Sequence, residues 1–88
     1  MIFQVEVVVT PKPVVNDPQG LVVRDGLWQL GFSGVEQVRV GKHIALRLNA
    51  DDESQALASV TQMCEKLLRN PVIEDFRVTV TPETLNLI

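Results

Sequence analysis

Apolar and polar residues alternate over three separate stretches of the chain, and each stretch reads as a half-buried strand. In the first, Phe3, Val5, Val7 and Val9 interleave with Gln4, Glu6, Val8 and Thr10, until Pro11 and Pro13 stop the ladder. In the last, Phe76, Val78 and Val80 point one way and Arg77, Thr79 and Thr81 the other, up to Pro82. The middle stretch, Val35 to Leu48, is the least ordinary. Its Val38, Val40, Ile44, Leu46 and Leu48 all fall on even numbers, and Gln37, Arg39, Gly41, His43 and Arg47 on odd ones.

A two-residue hairpin at Gly41-Lys42 would put the apolar residues of its two arms on opposite faces, because a one-residue slip flips every side chain. Two arrangements keep them together. A three-residue turn, Gly41-Lys42-His43, pairs Val40 with Ile44 and Val38 with Leu46. Alternatively the chain only bends at Gly41 and continues as one strand of about fourteen residues, roughly 45 Å long. Such a strand overshoots a small domain and offers its backbone to a second chain. The bent strand is preferred, since His43 stands where a bulged three-residue turn usually wants glycine.

Between the strands the period changes to that of helices. Asp17-Pro18 is a helix start, with Asp as N-cap and Pro in the first turn. The helix is expected to run to about Leu30, with Gly20, Val23, Leu27 and Leu30 on one face, Leu21 and Trp28 beside it, and Gly31 as its end. A second helix, Ser54 to about Arg69, carries the stripe Ala56, Leu57, Val60, Met63, Cys64, Leu67 and Leu68, and Asn70-Pro71 ends it. The order β-α-β(β)-α-β predicts an α+β domain. Its plan is a two-layer sandwich related to the ferredoxin-like fold, with an antiparallel-type sheet and both helices on one face. Residues 1–81 form that single domain and 82–88 a C-terminal tail.

Composition narrows the function. A chain of 88 residues holds one core and buries only about 60–65% of its unfolded surface, so association is an expected supplement. Eleven acidic residues against eight basic ones argue against a nucleic-acid or anionic-membrane footprint. One cysteine fits a reducing cytoplasm and allows no internal disulfide, and Gln4 and Glu6 interrupt any signal peptide.

No catalytic constellation emerges. Metal carriage on this plan needs a C-x-x-C, and Cys64 instead lies on a helix stripe as core filler. RNA recognition needs aromatics on the sheet, and the central strands have none. An acylphosphatase-like site needs an arginine after the first strand, where the chain has Lys12 and Asn16. His43 reads as a surface or interface residue, and Glu74-Asp75 as a charged strand entrance. Catalytic, cofactor-binding and metal sites are therefore expected to be none. Trp28, Val38, Val40, Gly41 and His43 are candidates for self-association.

Several pieces in sequence resemble the PurS family, the small subunit of phosphoribosylformylglycinamidine (FGAM) synthase. They are Asp17-Pro18-Gln19-Gly20, Leu30-Gly31, Val38-Arg39-Val40-Gly41-Lys42 before Ile44, Met63-Cys64-Glu65-Lys66-Leu67-Leu68, and Asn70-Pro71-Val72-Ile73-Glu74-Asp75-Phe76. The resemblance implies a non-catalytic assembly subunit in purine biosynthesis. Its complex converts formylglycinamide ribonucleotide, glutamine and ATP to FGAM, glutamate, ADP and phosphate. It further implies a synthetase partner that uses ATP and Mg, a glutaminase partner, a possible aid to ammonia transfer, and a dimer or tetramer of the small subunit. Through the resemblance Arg39, Lys42, Asn70 and Pro71 become candidates for contact with those other partners. The alternative from another class is an ACT-like regulatory module binding a small ligand. Against it, the loop Pro11 to Asp17 has no glycine to bring backbone donors close.

Overall fold

A computed structural model describes residues 1–13 and 16–83. Its centre is strand β1, Ile2–Pro11, whose alternate residues Phe3, Val5, Val7 and Val9 are all buried. It pairs antiparallel on one side with β2, Lys42–Asn49, and on the other with β3, Glu74–Pro82, giving the order β2-β1-β3. The register matches the parity of the sequence. Val5 faces Leu46 and Val80 across the ladders, and Val7 faces Ile44 and Val78. Apolar residues of all three strands thus share one face.

Helix α2, Glu53–Met63, covers that face with Ala56 and Val60. Asp52 caps it by accepting from the Gln55 amide at 2.7 Å, and the Gln55 side chain accepts from the Asp51 amide at 2.7 Å. A π turn, Cys64–Leu68, follows and closes with Arg69 N donating to the Cys64 carbonyl at 3.1 Å. The extra residue in this turn shifts the helical phase. Cys64 and Leu68 face the core, whereas Leu67, expected on the stripe, is 82% exposed. Leu57, also expected inward, stands outside with it.

The α+β class, the element order and the antiparallel sheet are as expected. The placement of the first helix is not. Helix α1, Pro18–Gln29, starts at Asp17 and ends at Gly31, whose φ of 99° is the left-handed geometry of a helix terminator. It supplies no residue to the core, and Val22, Val23, Leu30 and Phe32 are exposed. The chain extends over 49 × 38 × 15 Å with a radius of gyration of 17.0 Å. A compact chain of this length would have roughly 12 Å. Only one of the two helices covers the sheet of its own chain.

The middle stretch also departs from both arrangements drawn from its parity. Gly41-Lys42-His43 is not a hairpin turn, because Lys42 and His43 already belong to β2. Nor is the stretch one continuous strand: residues 35–41 leave the sheet and join no ladder among the described residues. The departure is at Gly41, where a side chain would collide with the Val9 carbonyl and crowd Thr10. At the other end, Pro82 is the last residue of β3 rather than the start of a tail. Glu83 is tied to the sheet by its amide to the Ile2 carbonyl at 2.9 Å and by its carboxylate to Arg47. Residues 84–88 of the expected tail lie outside the described residues.

Candidate functional site

Helix α1 and residues 35–41 together form an arm that stands off the sheet. Three contacts fasten its parts. Asp17, the N-cap of α1, accepts from the Gly20 amide at 3.0 Å through Oδ1 and from the Val40 amide at 2.8 Å through Oδ2. Arg39 donates to the carbonyls of Lys12 at 3.2 Å and Pro13 at 2.6 Å, and more weakly to that of Pro11 at 3.5 Å. Trp28 Nε1 donates to the Val35 carbonyl at 2.7 Å, with the Arg24 guanidinium stacked 4.2 Å from its ring centroid. Gly20 is the one buried residue of α1, and a Cβ there would strike the Val38 carbonyl. The Gly20 and Val40 amides, aided by the charge of Arg39, hold the Asp17 carboxyl below its ordinary range.

These bonds enclose a polar cleft of about 500 Å³ whose lining includes Asn16, Asp17, Arg24, Glu36 and Arg39. On the other side of the helix lies an open apolar groove of about 410 Å³ lined by Pro18, Gln19, Val22, Val23 and Val40. The polar side of α1 is closed by its own chain. The apolar side is not closed by any described residue.

The structure brings some of the sequence candidates together and separates others. Trp28, Val38 and Val40 all belong to the arm, with Gly41 at its root. His43 stands apart on the polar face of the sheet, its Nε2 3.9 Å from the Glu6 carboxylate. Arg39, a candidate for contact with other partners, donates its guanidinium to carbonyls of its own chain. Lys42 is exposed at the first position of β2. Asn70 organises a closed turn. Its Oδ1 accepts from Val72 N at 3.0 Å, its carbonyl from Glu74 N at 2.8 Å, and its own amide donates to the Glu74 carboxylate at 2.8 Å. Pro71 sits exposed in that turn.

Sequence reasoning took Asp17 for a cap only and did not single out Glu83. The Glu83 carboxylate is gripped by Arg47 at 3.0 Å through each of two nitrogens, and by Gln4 at 3.1 Å. Arg47 holds the Glu83 carboxyl below its ordinary range. Burial pushes the Cys64 thiol up, as suits an unreactive core residue. Among the described residues no three His, Cys, Asp or Glu side chains gather as a metal site, and no helix is long and apolar enough to cross a membrane.

The family model described as "Phosphoribosylformylglycinamidine (FGAM) synthase", PurS, matches residues 4–82. The phosphoribosylformylglycinamidine synthase subunit PurS of Synechocystis is 46% identical over 79 residues, covering 90% of this chain and 79% of that protein. A crystal form of Bacillus subtilis PurS is similar in structure, with a TM-score of 0.80 at 40% identity over 91% of this chain and 99% of that one. A chain in the structure of PurLQS from Thermotoga maritima matches with a TM-score of 0.84 at 31% identity, over 91% and 98% of the two chains. The sequence match and the structural match thus each span nearly the whole chain. This chain belongs to the PurS family, subunits of phosphoribosylformylglycinamidine synthase.

Proposed function

We propose that this chain is a non-catalytic assembly subunit of FGAM synthase in the cytoplasm, and that it works as a pair of copies joined through their arms. The observation that carries the reading is the uncovered α1, whose apolar groove has no partner among the described residues. The ferredoxin-like plan places a further strand beside β2, in the position that follows α1 in sequence. Here that strand is residues 35–41, which leave their own sheet at Gly41. In a two-fold pair, each copy's residues 35–41 run antiparallel beside the other's β2, with the axis near Gly41. An even-with-even pairing sets Val38 and Val40 among Ile44, Leu46 and Leu48 on one face, and brings each α1 over the sheet of the other copy.

The paired subunit then bridges a synthetase, which uses ATP and Mg, and a glutaminase, and aids passage of ammonia between them. Membership of the family and the PurLQS assembly of the Thermotoga relative support this role. Lys42 and the Asn70-Pro71 turn, both exposed, are the surfaces assigned to those partners. The expected result of sedimentation velocity on the isolated chain at micromolar concentration is a dimer or a multiple of it. Reconstitution with synthetase and glutaminase subunits should restore glutamine-dependent FGAM formation only when this chain is present. A strictly monomeric chain overturns the pairing, and full activity without it overturns the assembly role. The ACT-like reading gains no support, because the loop after β1 turns its carbonyls toward Arg39 rather than backbone donors toward a ligand.

A further inference from the structure

We infer that Asp17 and Arg39 form a preorganising latch that sets how the arm leaves β1, so that a second copy docks on an arm already in place. The inference rests on the self-association proposed above. After β1 the chain runs through a loop containing Pro13 and then α1, which supplies no residue to the core. Such a helix would swing on its linker and would have to be ordered on each association, which weakens binding.

The latch removes that freedom with two side chains. The Asp17 carboxylate spans the first turn of α1 and the Val40 amide, 23 residues further on, so the helix and residues 35–41 move together. The Arg39 guanidinium, on the neighbouring residue, grips the Lys12 and Pro13 carbonyls and thereby joins the arm to the end of β1. That end is itself fixed, since the Lys12 amide donates to the Ile73 carbonyl at 2.8 Å and its ammonium pairs with Asp75 at 3.1 Å. The absent side chain of Gly20 lets the Val38 carbonyl lie against the helix. A continuous set of bonds therefore connects β3, the end of β1, residues 35–41 and α1. None of these side chains is needed to cover the apolar groove, so their role is to position it.

Asp17→Asn and Asp17→Ser separate the latch from the cap. Asn and Ser both cap helices well, yet the amide offers an acceptor to only one of the two N–H groups and Ser is too short to span them. Helix content by circular dichroism should be unchanged. In a Val22→Asp background, which keeps the chain monomeric, the Val40 amide should exchange about ten-fold faster in either variant. In the otherwise native chain the dimer dissociation constant should rise by about a hundred-fold, about ten-fold for the hydrogen bond to a charged group lost in each of the two copies. Arg39→Lys, which keeps the charge but loses the forked reach, should weaken the dimer likewise. Unchanged Val40 exchange would show that the latch does not hold the arm and overturns the inference. Faster exchange with an unchanged dissociation constant would show that the latch does not serve assembly, and overturns it equally. If the native chain is monomeric at every concentration, the pairing reading itself falls, and Val40 exchange in that monomer still reports whether the latch exists.

Discussion

Replacing Val22 by Asp should abolish pairing at micromolar concentration while leaving the single chain folded. Val22 is 72% exposed in its own chain and lines the apolar groove of α1. Fully covering a valine contributes about 1.5–2 kcal/mol, so covering the exposed part contributes roughly 1–1.5 kcal/mol. A two-fold interface counts every substitution twice, giving about 2–3 kcal/mol, and enclosing an unpaired carboxylate adds to this. At 1.4 kcal/mol per factor of ten, the dissociation constant should rise at least about thirty-fold. Sedimentation equilibrium over a dilution series measures it, with far-ultraviolet circular dichroism and thermal melts of the monomer as controls. An unchanged dissociation constant would mean that α1 is not at the interface. A variant that no longer folds would mean that α1 packs on its own sheet. Either result refutes the argument from exposure.

The two glycines of α1 should respond with opposite signs. Gly26→Ala meets nothing within 4 Å and should stabilise the helix by up to about 1 kcal/mol, whereas Gly20→Ala forces a methyl onto the Val38 carbonyl and should loosen the arm, both read by amide exchange. Val60→Ala, in the fully buried contact between α2 and the sheet, should cost about 1.5–3 kcal/mol in urea unfolding, because two methyl groups are lost and a cavity remains. Lys42→Glu should leave stability unchanged, since the side chain is exposed, and should weaken capture of the synthetase or glutaminase in a pull-down. Asp17 and Glu83 both have lowered folded-state pKa values, so each stabilises the fold above the ordinary carboxylate pKa of about 4 and loses that contribution as pH falls through its depressed value. The charged group acting on Asp17 is Arg39, and Glu83 is held by Arg47 with a hydrogen bond from Gln4. Melting temperature should therefore drop below pH 4, and the drop should shrink in an Asp17→Asn, Glu83→Gln double variant.

The strands were legible because period-2 alternation reports a buried face directly. Phe3 to Val9, Ile44 to Leu48 and Phe76 to Val80 all face as their parity requires. The ends of α1 were legible too, since Asp17, Pro18 and Gly31 act through chemistry within one turn. Periodicity marks an apolar face but not what it packs against, so the apolar stripe of α1 is expected on the sheet although the helix supplies no residue to the core. The π turn at Cys64–Leu68 adds one residue to a turn without a compositional mark, and for that reason Leu67 was assigned inward and lies outward. The second bond of Asp17 and the grip of Arg39 link residues 23 to 28 positions apart, and local patterns are silent about such contacts. The parity of residues 35–48 excluded a two-residue turn, and the structure has none there, but it did not show that residues 35–41 leave the sheet.

An arm held away from the body changes the economy of the protein inside a cell. A newly made copy displays Val22, Leu30 and Phe32 to water. Proteases and chaperones act on such surfaces, so the pairing proposed above would lengthen the life of copies that have met. On that reading surplus made ahead of demand is removed, and the abundance of the protein is metered by its own encounters.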